Sequence, residues 1–477
     1  MNRNQILLKN TILYFIGSFS SSVLSFLLLP LYTRYLSPED YGFIDIIFAI
    51  SFVVTPIITL QISFACYRYL FDINDIKDRK AIISNSFAVF CIGNIIFIAL
   101  YSLAISFVQI QYDFVIMLYI VVSGGAGFVQ TLARGLRKNS LFSLLGVLST
   151  VVSIIANIVF IVGLNFKSLS LLLAPICSSL VVVIVSLFKL NIATLIDFSL
   201  VNKMQIKSLL RYSTPLIPDA ICWWLLLGFG RVYLNYQSGA EAVGVLAIAS
   251  KFPSLLTSFY AIFNLAWKEN AITEYTSQDR DSYYSYIYNN QAVIILSGII
   301  VLLPLTRLSI KYLLAPSFQG AYAYIPMLFL ASALDMLAVF WSSGFESAKK
   351  TKGILVSTLI AFVVNFILNI ILVPYISVFG VVAANFGSFG IMLLVRIVRS
   401  RKFFTITVDI KKIIPLVLGV FLFSGLYYLD NMIIQCILLI IGIIIFIVFN
   451  LLTIKKIFLL IKGMLVREKC SKLIEAK

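Results

Sequence analysis

Apolar stretches of a helical turn count that suits a bilayer recur along the whole chain, parted by short polar breaks. A helix needs about 20 mostly apolar residues to cross the hydrocarbon core, within a range of about 17–25. Fourteen stretches meet that need: 11–33, 42–66, 82–108, 113–133, 141–163, 168–188, 214–236, 241–266, 290–312, 322–345, 354–373, 378–396, 412–429 and 432–454. The two around 214–266 carry the most polar residues, and the last pair is closely spaced. Arg3 and Lys9 precede the first run, which has no small-residue cleavage site after it and is longer than the core of a signal peptide. It is expected to remain as the first helix. The pattern predicts an all-α polytopic membrane protein.

Composition agrees. Of 477 residues, 61% are hydrophobic and 12% charged, with a mean hydropathy of +1.02. A soluble domain is nearer ~45–50% apolar and ~25% charged. No connection exceeds about 25 residues, whereas a folded catalytic module needs about 50 or more. Any function is therefore expected within the helices or at their ends. The chain has no histidine, which excludes a Ser-His-Asp triad, a histidine metal site and a histidine proton relay. Its six cysteines are far apart and form no CxxC, so no zinc site, redox motif or disulfide framework is expected. No cofactor and no enzymatic activity are expected.

The net charge is +17. In a soluble protein that would suggest nucleic acid. Here the charge lies in short connections, where the positive-inside rule puts it, and no nucleic-acid partner is expected. With the N-terminus in the cytoplasm, Arg34, Lys167, Arg307 and Lys311 fall outside and Arg231 and Lys251 within spans, leaving 31 of 37 Lys and Arg inside. The inside clusters include Arg134-Arg137-Lys138, Lys349-Lys350-Lys352 and Arg396-Arg399-Arg401-Lys402. Both termini are expected in the cytoplasm.

The two halves echo one another. Arg34-Tyr35-Leu36 leads through Glu39-Asp40-Tyr41-Gly42 into a span, and Arg231-Val232-Tyr233-Leu234 leads through Glu241-Ala242-Val243-Gly244 into another, the Glu-x-x-Gly elements lying 202 residues apart. Asn157-Ile158-Val159-Phe160 similarly matches Asn369-Ile370-Ile371-Leu372 at an offset of 212. The expected organisation is an N-terminal six-helix lobe (1–200), a C-terminal six-helix lobe (201–402), and two additional helices with a basic cytoplasmic tail (403–477). Six spans per half keep the halves in one orientation, with a site expected at their interface.

Charges within spans cost about 2.5–3.5 kcal/mol each and mark cavities or partners. The candidates are Asp45, Asp219, Arg231, Lys251 and Asp335, with Arg34 at the outer end of the first span and Arg68 at the inner end of the second. Asp335, Asp45 and Asp219 suit a charge pair or a coupling-ion site. The serines Ser18, Ser20, Ser21, Ser22 and Ser25 crowd the first span and suit either close packing or a polar path.

The stretch LRYSTPLIPDAICWWLLLGFGRVYLNYQSGAEAVGVLAIASKFPSLLTSFYAIFNLAWKENA, from Leu210 to Ala271, resembles the polysaccharide-exporter branch of the MOP superfamily, which includes Wzx-type O-antigen flippases. LLKNTILYFIGSFSSSVLSFLLLPLYTRYLSPEDYGFIDI and AKKTKGILVSTLIAFVVNFILNIILVPYISVFGVVAANF fit the same family, so the resemblance spans nearly the whole chain. It implies twelve core helices in two lobes plus two C-terminal ones. It also implies export of a polyprenyl-diphosphate-linked oligosaccharide, such as an O-antigen or capsule repeat unit, across a bacterial inner membrane. Lys251 matches the basic residue of a KxPxLL-like segment, and Arg231 an arginine that relatives precede with aspartate, here Gly230.

Together these readings predict a cationic, hydrated cavity. Lys251 and Arg231 would attract the diphosphate, with Arg34 and Arg68 guiding it near the two faces. Trp223, Trp224 and Trp341 are candidates for stacking on sugar or for anchoring at the interface. The last two helices would offer a groove for the lipid tail. Membrane lipids and other glycan-assembly membrane proteins are the further expected partners. A cation-coupled MATE-like drug antiporter, a lipid II flippase and a membrane glycan polymerase or ligase are the alternatives.

Overall fold

The computed structural model describes residues 26, 28–73, 75–107, 110–348 and 352–475. Among the described residues there are helices and no strands. In chain order the main helices are α1 (Leu29–Tyr35), α2 (Pro38–Thr59), α3 (Ile62–Asp72), α4 (Ile76–Ile105), α5 (Asp113–Gly135), α6 (Asn139–Ile158), α7 (Ser168–Leu190) and α8 (Lys203–Ser213). Then follow α9 (Leu216–Glu274), α10 (Arg280–Leu313), α11 (Ile325–Ser347), α12 (Lys352–Ile376), α13 (Val378–Ser400), α14 (Ile410–Leu426) and α15 (Met432–Glu475).

Among the described residues, eleven helical segments are long and apolar enough to cross a membrane. One of them, Lys203–Glu274, holds two of the expected spans. Within α9 the helix is interrupted at Gly239, whose φ of 81° and ψ of 171° belong to glycine. The thirteenth expected span is α14, 17 residues long. Most of the first span, with its five serines, and Lys349-Lys350 of the basic clusters lie outside the described residues.

Local chemistry sets the helix ends. Pro38 opens α2, and the Asp40 amide donates to Ser37 Oγ at 3.0 Å, with Glu39 and Asp40 at the positive end of the helix. Leu60 and Gln61, both left-handed, break α2 from α3. Asp75 caps α4 through the amides of Lys77 and Asp78.

The helices sort into two compact units. The first is Ser20–Ala247 with Phe366–Val381. Its core packs Ile62, Cys66 and Leu70 of α3 against Ile82 of α4, Leu132 of α5 and Leu209 of α8. The connection after α7 is pinned by α4: Asn85 donates to the Leu200 carbonyl at 3.0 Å and accepts from the Asn202 amide at 2.8 Å, while Ser84 Oγ accepts from the Asp197 amide at 2.7 Å.

The second unit contains Ile248–Asn365 and Val382–Lys477. It repeats that device. Asn289 of α10 donates to the Thr407 carbonyl and accepts from the Asp409 amide, both at 2.8 Å, and Ser285 accepts from the Thr407 amide at 2.9 Å. Helices α14 and α15 pack along α10. Asn450 donates to Ser297 at 2.9 Å within the buried seam between α15 and α10. At the other end of this unit, Arg307 pairs with Asp430 at 3.0 Å and Tyr428 donates to the Ala323 carbonyl at 2.8 Å. Connections expected on one membrane face thus gather at one end of the unit, and those expected on the other face at its opposite end.

Candidate functional site

In the first unit the site is built on α2 and the first limb of α9. Arg231 Nη1 stands 3.3 Å from Asp45 Oδ2, their side chains 30% and 15% exposed. The contact is a charge pair without hydrogen-bond geometry, since that carboxylate oxygen, itself shut off from solvent, makes no hydrogen bond. Tyr41, one turn before Asp45, is buried beside both charges. Gly230 explains the missing neighbour acid. A Cβ there would lie 2.9 Å from both Asn369 Oδ1 and Val381 Cγ1. Close packing leaves no room for an acidic side chain beside Arg231, and Asp45 supplies the negative charge from another helix.

The same face of α2 runs along α9 for three turns. A Cβ on Gly42 would overlap the Ala240 carbonyl oxygen, and one on Gly244 would overlap the Pro38 carbonyl oxygen. The contact is reciprocal, and its partners obey the offset of 202 found in the sequence. Backbones approach this closely only where side chains are absent, as at small-residue crossings in membranes. Two turns further along, Trp224 Nε1 donates to the Ala49 carbonyl oxygen. Trp224 is thereby a strut between helices.

The other basic candidates lie apart from this pair in the sequence order of elements. Arg34 ends α1 and is exposed, and Arg68 lies on α3, also exposed. Lys251 belongs to the second unit, half-buried on the second limb of α9, two residues before Pro253. Its carbonyl accepts from Ser254 Oγ at 2.6 Å. Asp219 is in the first turn of α9, and its side chain lies outside the described part.

Asp335 lies in the second unit at mid-length of α11. The charge that acts on it is Arg396, a residue expected at the cytoplasmic surface. The structure corrects that expectation. Helix α13 continues to Ser400, and Arg396 is wholly buried. Its three nitrogens are taken by neutral acceptors: Nε donates to Ser357 Oγ at 3.0 Å, Nη1 to the Ala338 carbonyl at 2.8 Å and Nη2 to Thr358 Oγ1 at 3.3 Å. Asp335 Oδ1 is buried and makes no hydrogen bond, nor does Tyr260 Oη or either amide atom of Gln291. Each buried polar group left so costs about 1–3 kcal/mol. Sequence reading missed Arg396, Tyr260 and Gln291. Arg396 was hidden by its place in a run of basic residues, and the other two by their ordinariness.

Lys268 of α9 meets Glu346 of α11 at 2.9 Å, a second charge pair missed in the sequence. Trp341 is not available for stacking on a ligand. It is 3% exposed, with Tyr288 edge-on to it and Phe404 stacked at centroid distances of 5.7 Å. Trp267 stacks on Phe340 at 4.7 Å in the same cluster. Among the described residues no group of acidic or cysteine side chains is arranged to hold a metal ion.

No curated protein sequence matches the chain. Among solved structures it is similar to the lipid II flippase MurJ in an inward closed conformation, at 17% identity and a TM-score of 0.73, covering 94% of this chain and 100% of that one. It is similar also to a multidrug resistance MATE family transporter of the MOP superfamily in an inward-facing conformation, at 16% identity and a TM-score of 0.63, covering 81% and 98%. A MOP superfamily transporter from Pyrococcus furiosus, described by the reverse polarity of its binding pocket, gives 16% identity and a TM-score of 0.58 over 84% and 97%. These likenesses establish a shared fold. The family of polysaccharide biosynthesis proteins matches residues 7–267. That stretch is more than half of the 477 residues, and the chain belongs to the polysaccharide biosynthesis protein family.

Proposed function

We propose that the chain is a flippase that carries a polyprenyl-diphosphate-linked oligosaccharide from the cytoplasmic to the outer leaflet of a bacterial plasma membrane. The observation that supports it most is the presence of basic side chains, Lys251 and Arg231, inside apolar spans of a polysaccharide-family member. The cargo has an anionic diphosphate, a polar glycan and a long apolar tail. The glycan cannot cross hydrocarbon unaided, so the head needs a hydrated, cationic path while the tail stays in lipid. Lys251 and Arg231 bind the diphosphate in this reading, and Arg34 and Arg68 guide it near the two faces. Because Arg231 already faces Asp45, the diphosphate must compete with that carboxylate, which makes the pair responsive to cargo.

Two lobes, residues 1–200 and 201–402, rock to expose the path alternately. No bond is made or broken in the cargo. The membrane potential favours exit of an anion by about 2.3 kcal/mol per charge per 100 mV, so two charges crossing the whole field gain about 4–5 kcal/mol. Helices α14 and α15 give the tail its groove.

Reconstitution in liposomes tests the reading. Transbilayer movement of a polyprenyl-diphosphate oligosaccharide is expected, with no uptake of a cationic dye. Dye transport without glycolipid movement overturns it in favour of a drug antiporter. Movement of lipid II alone narrows the cargo to the peptidoglycan precursor and overturns the oligosaccharide assignment.

A further inference from the structure

The connection between α7 and α9 carries a charge pattern that the proposed transport path does not use. Between Leu190 and Leu216 stand Lys203, Lys207 and Arg211 against one acid, Asp197, whose carboxylate already accepts from the Ser199 amide and hydroxyl. The three cations are spaced four apart on α8, so they form one row along the helix. All three are exposed. Such a row works against an isolated helix. Like charges four apart repel, and Lys203 stands in the first turn, at the positive end of the helix dipole. The sequence of α8 holds no acid to offset them.

The fold sets where the row stands. The opposite face of α8 is committed to protein: Leu209 and Ser213 are fully buried, and Leu209 packs in the core with Ile62 of α3 and Ile82 of α4. Gln205 accepts from Asn85 of α4 at 2.9 Å, and Ser208 Oγ lies 2.9 Å from Tyr69 Oη of α3 in a hydrogen bond. Tyr69 follows the expected span 42–66, and Asn85 lies just inside the expected span 82–108. Helix α8 is therefore held at the level where those spans leave the hydrocarbon.

The side chains that border the row are apolar. Met204, beside Lys203 on the same open arc, is 79% exposed, Phe198 is 66% exposed, and Phe188 at the end of α7 is 76% exposed. Facing the cytosol, these side chains would stand in water. At the boundary of headgroups and acyl chains they are covered by lipid, and the cations beside them meet phosphate. Helices that lie in a membrane surface combine basic and apolar side chains in this way.

We infer that the open arc of α8, with Lys203, Lys207, Arg211, Met204 and Phe198, is a docking surface for the anionic phospholipid headgroups of the cytoplasmic leaflet, and that flipping is faster when they occupy it. Phosphodiester oxygens accept from the two ammonium groups and from the guanidinium of Arg211, whose fork suits two such oxygens at once. Met204 and Phe198 enter the acyl boundary. The attraction decays within a Debye length, so it acts only because the helix is held at the surface.

The effect on flipping rests on the flippase reading; the docking does not. Docking is read without cargo. A spin label on Met204→Cys, with the native cysteines replaced, is expected to meet oxygen more readily than a water-soluble nickel chelate in liposomes that contain phosphatidylglycerol. The reverse order, that of a side chain in the cytosol, overturns the proposal. Native mass spectra of the purified protein, titrated with equal phosphatidylglycerol and phosphatidylcholine, are expected to show preferred retention of phosphatidylglycerol. The triple variant Lys203→Gln, Lys207→Gln and Arg211→Gln should lower that preference about tenfold or more. An undiminished preference overturns the proposal. So does a row that retains a polyprenyl-diphosphate oligosaccharide in place of phosphatidylglycerol, which assigns it to the cargo. In proteoliposomes, added phosphatidylglycerol is expected to speed flipping several-fold at low salt. The gain should vanish at high salt and in the triple variant, whose melting temperature should match wild type. A gain that survives in that variant overturns the effect on flipping. A protein that passes both docking tests and flips no glycolipid sinks the flippase reading and leaves the docking surface standing.

Discussion

Arg231 and Asp45 face each other at 3.3 Å, an arginine of the second half of the chain matched by a carboxylate of the first. The sequence puts no acid beside Arg231, and the fold supplies one from α2. Both side chains keep some access to solvent, so the pair is strengthened only in part by burial. In a double-mutant cycle, Arg231→Ala and Asp45→Ala are expected to show a coupling of about 1–2 kcal/mol in thermal stability. Coupling near zero would mean the two charges merely share a neighbourhood. Gly230→Asp is not expected to give Arg231 a closer partner, because the site has no room for the side chain. It should lower the melting temperature, and Asn369→Ala should relieve the loss by clearing the space its Cβ needs.

The Gly42 and Gly244 crossing admits no side chain. Gly42→Ala or Gly244→Ala should each destabilise the protein by about 1–3 kcal/mol, because backbone rather than a flexible side chain blocks the new Cβ. Gly127→Ala is the control, since nothing lies within 4 Å of a Cβ there. It should be neutral or slightly stabilising, as alanine favours helix. Melting curves of the three variants in detergent check this, and equal losses at all three positions would refute the crossing.

Arg396→Met should be among the most damaging single changes. It strands Asp335 and the acceptors of Ser357, Thr358 and Ala338 in the interior, at a cost of about 3–5 kcal/mol. The double variant Arg396→Met with Asp335→Asn should recover part of that loss, because it also removes the stranded charge. Size-exclusion profile and melting temperature report it.

Asp197 lies on the connection after α7. The hydroxyl and amide of Ser199 both donate to its carboxylate, which holds its pKa below the usual value, with the Lys80 charge adding to the effect. Folding therefore favours the ionised form. The stabilisation is fully present above the ordinary carboxylate range and is lost as pH falls through the lowered folded value. Melting temperature should fall with acid more steeply in wild type than in Asp197→Asn. Parallel curves would remove Asp197 from the account.

Much of the fold was legible because the bilayer sets a local rule. A span must be long and apolar, and its connections must be short and, on one face, basic. That rule can be read residue by residue, and it located α2, α4 to α7, α10 to α13 and α15, as well as the two helices that meet at Gly239. The offset of 202 likewise appeared first as a spelling and then as the Gly42 and Gly244 contact. The in-span charges Asp45, Arg231, Lys251 and Asp335 stood out for the same reason, since each breaks an apolar run.

What the sequence determined by itself was where most of the long apolar helices lie and which charges fall within them. What only the tertiary structure decided was which way each helix turns. A soluble helix announces its inner face by a stripe of apolar residues. A helix surrounded by lipid is apolar on every side, so composition carries no such stripe. Hence Arg396 read as surface and proved buried, Trp341 read as a candidate ligand contact and proved part of an aromatic core, and the partner of Arg231 was unreadable until α2 was laid against α9.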